Sequence, residues 1–260
     1  IVIHEQNARP GLANKVGARN AAVVALTFPS TPLSARSGKT VVTGLPLRAA
    51  IADLASRRED AQGAAQARRE AAERLGVNPD VPTLLVTGGS LGALHVNESM
   101  TGAADALPEG AQVVHLTGRG KDEPVRAAVE AAGLSDRWHV IDYLTTMEDA
   151  LAVADLVVCR SGAGTVAEME ALGLPCMYVP LPIGNGEQRL NASDHVAAGG
   201  AQLIDDKDFT ADFVRRNVFP LLGSTRLADM AAASQSLGRA GAARALADLA
   251  LEQVKEDGHE

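Results

Sequence analysis

The sequence predicts a doubly wound α/β fold around a parallel sheet, on three observations. Short continuous apolar runs alternate with helical patterns almost throughout the chain, and unbroken apolar runs are what strands covered on both faces require. Glycines follow several of the helical patterns, where a left-handed residue is needed to stop a helix. Apolar residues make up 46% of the 260 but aromatics only 3%, so an aliphatic core filled by alanine-rich helices on a sheet fits the composition.

Taken in order, Ile1-Val2-Ile3-His4 reads as the end of a strand with no lead-in, so the expectation is a fragment whose beginning is missing. Strand candidates follow at Thr40–Thr43, Thr83–Gly88, Gln112–Thr117, His139–Tyr143, Leu156–Cys159, Cys176–Pro180 and Ala201–Ile204. Helical patterns occupy Ala49–Leu75, Leu94–Ala106, Val125–Ala132, Met147–Ala154, Thr165–Leu172, Glu187–Ala198 and Thr210–Leu221. Gly76, Gly133, Gly173 and Gly199 stand where stops belong. From Ser56 to Arg74, opposite charges recur at helical spacing, the signature of a solvated helix face. Leu227–Val254 is a last Ala/Leu pattern, interrupted near Gly238 and Gly241, and Lys255–Glu260 is expected to fray.

The net charge of −8 argues against a general nucleic-acid binder, which needs a basic patch. No signal peptide and no apolar run of membrane-spanning length is present, so the expectation is a soluble or peripheral protein. Cys159 and Cys176 both lie in apolar runs and read as core thiols in a reducing compartment. No spacing suits a metal; His95, His115, His139, His195 and His259 show no ligand pattern, and Asp205-Asp206-Lys207-Asp208 reads as a loop entering a helix.

The run Cys159-Arg160-Ser161-Gly162-Ala163-Gly164-Thr165-Val166-Ala167-Glu168 carries the most chemistry. A strand enters it, small residues turn it, and a helix leaves it, so first-turn amides and the helix dipole are available to an anion. Glu168 then offers a carboxylate to hydroxyls, a pairing that suits a nucleotide or nucleotide-sugar. Thr87-Gly88-Gly89-Ser90-Leu91-Gly92-Ala93 also links a strand to a helix, as a phosphate loop does. It lacks the Gly-Lys-Ser/Thr of a P-loop. The next strand ends His115-Leu116-Thr117-Gly118, without the acid that holds ribose in dinucleotide enzymes, which disfavours redox chemistry. Glu187-Gln188-Arg189-Leu190-Asn191-Ala192 supplies amides that donate to and accept from sugar hydroxyls. Thr43-Gly44-Leu45-Pro46-Leu47-Arg48 brings a cation to the end of a strand, and His4-Glu5-Gln6-Asn7 clusters polar groups after another. The loops after Thr87, Cys159 and Pro180 all lie at the carboxyl end of the expected sheet, where ligands bind in such folds.

In this order, these runs resemble the MurG glycosyltransferases, from residue 1 to about residue 250: His4–Asn7, the Thr-Gly-x-Pro-x-Arg run ending at Arg48, Gly88-Gly89-Ser90-x-Gly92-Ala93, Arg160–Glu168 and Gln188-x-x-Asn191-Ala192. The resemblance implies a GT-B architecture of Rossmann-like domains with the site between them. It places residues 1–40 in the tail of the N-terminal, acceptor domain and 41–238 in the C-terminal donor domain. Residues 239–254 would form a helix returning to the first domain, with 255–260 a frayed tail. It implies transfer of GlcNAc, with inversion, from UDP-GlcNAc to the C4 hydroxyl of undecaprenyl-pyrophosphoryl-MurNAc-pentapeptide, at the cytoplasmic face of the membrane and without metal or cofactor. The membrane surface would be met through the missing domain, which would also hold the catalytic base, so the chain alone is expected to be inactive.

Carried over by motif, Ser90 and its loop, with Gly89 and Gly92, would meet the diphosphate, and Arg48 the nucleotide side of the donor. Ile141 would hold uracil through its backbone. Ala163, Gly164, Thr165, Val166, Ala167 and Glu168 would wrap the nucleotide sugar, Glu168 taking the ribose hydroxyls. Gln188 would read the GlcNAc ring and Asn7 would touch it from the other domain, with Glu5 and Asn191 as further candidates. Glu187 departs from the pattern, since many relatives carry Gln there. The alternatives are another sugar-nucleotide enzyme of this plan, such as a UDP-GlcNAc epimerase, or a non-catalytic UDP-sugar binding module.

Overall fold

The computed structural model describes residues 1–89, 92–183 and 185–257, with side chains to Val254. Two all-parallel sheets organise it. The first holds β1 (Val2–Glu5), β2 (Val23–Leu26) and β3 (Lys39–Val42) in that order. The second contains β4 (Thr83–Thr87), β5 (Gln112–Leu116), β6 (Trp138–Ile141), β7 (Leu156–Cys159), β8 (Cys176–Tyr178) and β9 (Ala201–Leu203), ordered β6-β5-β4-β7-β8-β9. Chain order reverses direction between β4 and β7, so the crevice at the carboxyl ends of these strands is the expected ligand position.

Continuous apolar strands follow from burial on both faces. In β4, Leu84 and Val86 join one core layer and Leu85 the other; in β7, Leu156 and Val158 oppose Val157 and Cys159. The layer holding Leu85 and Val157 is covered by α2 (Ala49–Arg57), α3 (Ala61–Leu75), α6 (Met147–Val153) and α7 (Ala163–Leu172). The opposite layer is covered by α4 (Leu94–Thr101), α5 (Asp122–Ala131) and the segment from Phe209 to Met230. That segment runs through α10 (Ala211–Phe213), a wider π turn (Val214–Val218), a tight turn (Phe219–Leu221) and into α11 (Thr225–Gln235).

Several expected elements divide. The pattern 49–75 is two helices, because Asp60 accepts the Gly63 amide (2.8 Å) and caps a new helix there. The pattern 187–198 breaks at Ala192 into α8 (Glu187–Asn191) and α9 (Ser193–Ala197). The pattern 94–106 ends as a helix at Thr101, followed by a tight turn at Ala104–Ala106. Two elements were not foreseen: α1 (Leu12–Gly17) and the fully buried β2.

A boundary at residue 40 falls inside β3, which pairs with β2 (Val23↔Lys39 to Leu26↔Val42). The first unit therefore extends to Val42, and the crossing to the second is Thr43–Arg48. The chain crosses back after α11, and α12 (Ala242–Asp257) lies on the first sheet, with Leu246 and Leu249 against Val23 and Ala25. It continues as helix to Asp257, into the stretch expected to fray. The units also meet where Ala8 donates to Asn191 Oδ1 (2.9 Å) and Ser30 to Asp194 Oδ2 (3.1 Å).

Candidate functional site

A cleft of about 230 Å³ opens at the carboxyl ends of β4, β5 and β7, beside the point of strand reversal. One wall is α7. Its N-cap, Gly162, gives no side-chain hydrogen bond, and the first helical bond of the turn runs from Val166 N to Gly162 O. The amides of Ala163, Gly164 and Thr165 are thus left to an incoming acceptor, at the positive end of the helix dipole. Thr165, Glu168 and Met169 face the cleft, one stripe of a helix with 3.6 residues per turn.

Val166 and Ala167, expected to wrap the ligand, turn their side chains away from the cleft. Val166 is wholly buried in the core, and Ala167 lines a separate small void on the far side of α7. Reading the motif as a continuous string ignored the helical period that turns alternate residues away.

Arg48, the residue before α2, reaches across to α7. Its Nε donates to Glu168 Oε1 at 2.9 Å, and Nη2 lies 2.9 Å from the same oxygen as an ion pair. Glu168 keeps 16% of its side chain exposed and Arg48 57%. Burial pushes the Glu168 carboxyl above its ordinary range, while the Arg48 charge pulls it back. The residue expected at the nucleotide side of the donor and the one expected at the ribose hydroxyls are brought together on one rim.

Gly89 lines the cleft and Gly92 shapes it. A Cβ on Gly92 would lie 2.2 Å from the Thr117 carbonyl oxygen, so only glycine lets this loop lie against the end of β5. Ser90 falls outside the described residues. α4 follows with no side-chain cap at Ala93.

Ile141 does not offer a free carbonyl. Its oxygen accepts Thr117 N at 3.0 Å, closing the β5–β6 ladder, and its side chain packs on the core. The cleft is instead walled by the residues after it, Asp142, Tyr143, Leu144 and Met147, facing Leu116 and Gly118. Arg119 lies over the Tyr143 ring at 3.8 Å, a cation–π contact. These residues were missed because apolar and aromatic side chains in a loop carry no chemical label; the cue was their place at a strand's carboxyl end.

The Gln188 group sits beside this cleft. Gln188 Oε1 accepts Leu181 N (2.9 Å) and Ser161 N (3.3 Å), joining the loops after β8 and β7. Its amide NH₂ is the part suited to a hydroxyl acceptor. Asn191 is buried and structural: it accepts Ala8 N and donates to Asn7 Oδ1 (3.4 Å) and Ser161 O (3.5 Å). Asn7 is thereby held at the meeting of the two units. Glu5 is occupied, its carboxylate accepting Asn7 N, Gly11 N and Asn14 Nδ2 at 2.8–3.1 Å. It shapes the turn that presents Asn7. Glu187 is exposed at the start of α8, its amide donating to Asn185 Oδ1. Arg160 is a brace: Nη1 donates to Val179 O, Pro180 O and Asp206 Oδ1, tying the loop after β7 to those after β8 and β9.

Among the described residues, no group of three or more His, Cys, Asp or Glu side chains is placed to hold a metal ion. No helix among them is long and apolar enough to cross a membrane. Both cysteines are buried and unpaired.

Residues 83–247 match the family model described as the glycosyltransferase family 28 C-terminal domain. A protein of Bifidobacterium longum (strain DJO10A), named UDP-N-acetylglucosamine–N-acetylmuramyl-(pentapeptide) pyrophosphoryl-undecaprenol N-acetylglucosamine transferase, is 48% identical over 95% of this chain and 66% of its own length. A protein of the same name from Streptomyces coelicolor is 44% identical over 98% of this chain and 66% of its own. Among solved structures, that of Acinetobacter baumannii MurG superposes with a TM-score of 0.75 at 29% identity, covering 95% of this chain and 65% of that one. A UDP-N-acetylglucosamine 2-epimerase structure superposes at 0.51 with 19% identity, a likeness of fold alone. The chain thus spans about two-thirds of the length of its curated relatives. With a matched domain covering most of the chain and relatives nearly half identical to it, the chain belongs to glycosyltransferase family 28, of which it carries the C-terminal domain.

Proposed function

We propose that the chain is the donor-binding part of an inverting N-acetylglucosaminyltransferase that moves GlcNAc from UDP-GlcNAc to the C4 hydroxyl of undecaprenyl-pyrophosphoryl-MurNAc-pentapeptide. The observation that carries this reading is the meeting of uncapped helix amides, the Arg48–Glu168 pair and an apolar wall in one cleft at the sheet's reversal. Relatives nearly half identical to the chain are named for that reaction.

In this reading the diphosphate lies on the first-turn amides of α7 and the Gly89 loop, with Arg48 as its cation. Glu168 Oε1 is engaged by Arg48, and Oε2 accepts from the ribose hydroxyls. Uracil lies against Leu144 and Tyr143 and is read by the backbone after Asp142, in place of Ile141. The Gln188 NH₂ donates to GlcNAc hydroxyls, and Asn7 approaches the sugar from the other unit. As the acceptor oxygen bonds to the anomeric carbon, the bond to the diphosphate breaks and negative charge grows on UDP. Fixed amide dipoles and a guanidinium stabilise that charge without reorganising. The base that takes the proton from the attacking hydroxyl belongs to the third of the relatives' length that this chain does not span, as does the surface for the lipid-linked acceptor at the cytoplasmic membrane face.

Calorimetric titration of the chain with UDP-GlcNAc, UDP, 2′-deoxy-UDP and NAD tests the reading. UDP-GlcNAc and UDP are expected to bind, 2′-deoxy-UDP more weakly, and NAD not at all. Equal affinity for UDP and its deoxy form, or preference for NAD, would overturn it.

A further inference from the structure

Glu170 lies two residues beyond Glu168 on α7 and turns away from the cleft. It borders a small void between the two units, lined also by Thr27, Gly44, Leu45, Ala167 and Arg239. The void has room of about 10 Å³, at the lower limit for a single water. Glu170 Oε1 is buried and has no hydrogen-bond partner. Both crossings between the sheets close over it. Gly44, at φ +82°, lets the outgoing crossing pass Arg239 of the returning one; a Cβ there would lie 2.9 Å from the Arg239 Cβ. On the returning crossing, a Cβ on Gly238 would lie 3.1 Å from the Glu170 carbonyl oxygen.

We propose that Glu170 is a proton-dependent pin: protonated, it holds the two inter-sheet crossings against α7, and on losing its proton to solvent it releases them. Ionisation puts charge on a carboxyl whose buried Oε1 has no hydrogen-bond partner, which a protein tolerates poorly. The charged groups acting on Glu170 are Asp194 of α9, of like sign, and Arg239, which favours the ionised form; burial outweighs both and sets its pKa at about 8. Cys176 and Tyr178 on β8 also feel it, and both are pushed well above their ordinary values by burial, so they stay neutral. His4 of β1, bonded to Gly44 O and Thr27 Oγ1, is pushed below 6.5 by burial and is neutral too above that pH.

The sign follows. The pinned arrangement binds a proton more tightly than the released one, whose carboxyl returns to an ordinary value. Pinning is therefore complete at acid pH, weakens as pH rises toward about 8, and levels off beyond. Between pH 6.5 and 8, neither His4 nor the β8 groups change charge, so one proton carries the effect.

Hydrogen exchange of the 260-residue chain, corrected for intrinsic rates, reads this directly. Protection of peptides covering residues 43–48 and 237–242 should fall about tenfold per pH unit between 6.5 and 8, while β7 stays unchanged. Glu170→Gln should abolish the slope. A flat profile in the parent chain, or an unchanged slope in Glu170→Gln, overturns the proposal. Should Glu170→Gln not fold, Arg239→Gln serves: without the cation, the midpoint must move to higher pH, and an unmoved midpoint overturns the proposal. Because the readout needs no ligand, its outcome is independent of the donor-binding reading.

Discussion

Glu168 and Glu170 are the same residue type on the same helix, two positions apart, and the fold gives them opposite environments. Two steps along a helix is a rotation of about 200°, so one carboxylate opens on the cleft and the other on the seam between the units. Burial raises both carboxyls. Glu168 receives a hydrogen bond and an ion pair from Arg48 at Oε1, which pull it back toward the ionised form. Glu170 has only an unbonded Arg239 nearby, opposed by Asp194, and Oε1 has no donor at all. The cleft thus gives its carboxylate a cationic donor. The seam keeps one neutral.

The largest expected effect tests the cleft side. Glu168→Ala should weaken UDP binding about ten- to hundredfold, the loss of hydrogen bonds to a charged acceptor, and erase any preference for ribose over deoxyribose. Calorimetry with UDP and its 2′-deoxy form measures both. Preserved preference would remove Glu168 from the ribose and leave the two carboxylates without a functional distinction.

Next is a test of the seam's geometry. Gly44→Ala combines a left-handed backbone with a Cβ 2.9 Å from that of Arg239. It should cost about 1–3 kcal/mol, read as a lower urea midpoint at unchanged slope. A loss under about 0.5 kcal/mol, the range of an ordinary surface change, would show that the crossings have room to spare and are not tightly closed over Glu170.

How much of this was legible beforehand depends on what a residue type reveals. The strands of the six-stranded sheet were visible because burial on both faces leaves unbroken apolar runs, as in Leu84-Leu85-Val86 and Leu156-Val157-Val158. β2 has the same character, Val23 to Leu26, but was passed over in a stretch taken only as a tail. The break at Asp60 was missed because charges at helical spacing masked an N-cap that local hydrogen bonding prefers. In the cleft, Arg48, Thr165, Glu168 and Gly89 were legible from motif chemistry. Leu144, Tyr143 and Met147 were not, since a ligand-facing apolar residue looks like a core one until the sheet places it. Asn191 and Glu5 were polar, and so were read as ligand contacts; the fold uses them to join backbone segments. Glu170 was not singled out at all, because its importance comes from the crossings that close over it.

Arg48→Ala separates the guanidinium's two possible duties. Arg48 is more than half exposed, so solvent screening limits its contribution, and UDP affinity should fall only about tenfold. Its removal also takes away what pulls the Glu168 carboxyl down. Glu168 must then protonate at higher pH than in the parent chain, and UDP binding should fail earlier as pH is lowered. The same tenfold loss at every pH would mean that Arg48 acts on the ligand alone.

The smallest effect is the most discriminating. At pH 7 the Glu170 carboxyl is mostly protonated, given a pKa of about 8, and Gln reproduces its shape without its proton equilibrium. Glu170 faces the seam, its side chain on the opposite side of α7 from the cleft. Glu170→Gln should therefore leave UDP affinity at pH 7 within about twofold of the parent, the range expected of a change away from the site. At pH 8.5 any difference between the two should come from the crossings, since Gln stays neutral where Glu170 ionises. A tenfold loss already at pH 7 would mean that the two faces of α7 are coupled through the helix itself, and that a proton in the seam is felt directly at the ribose carboxylate.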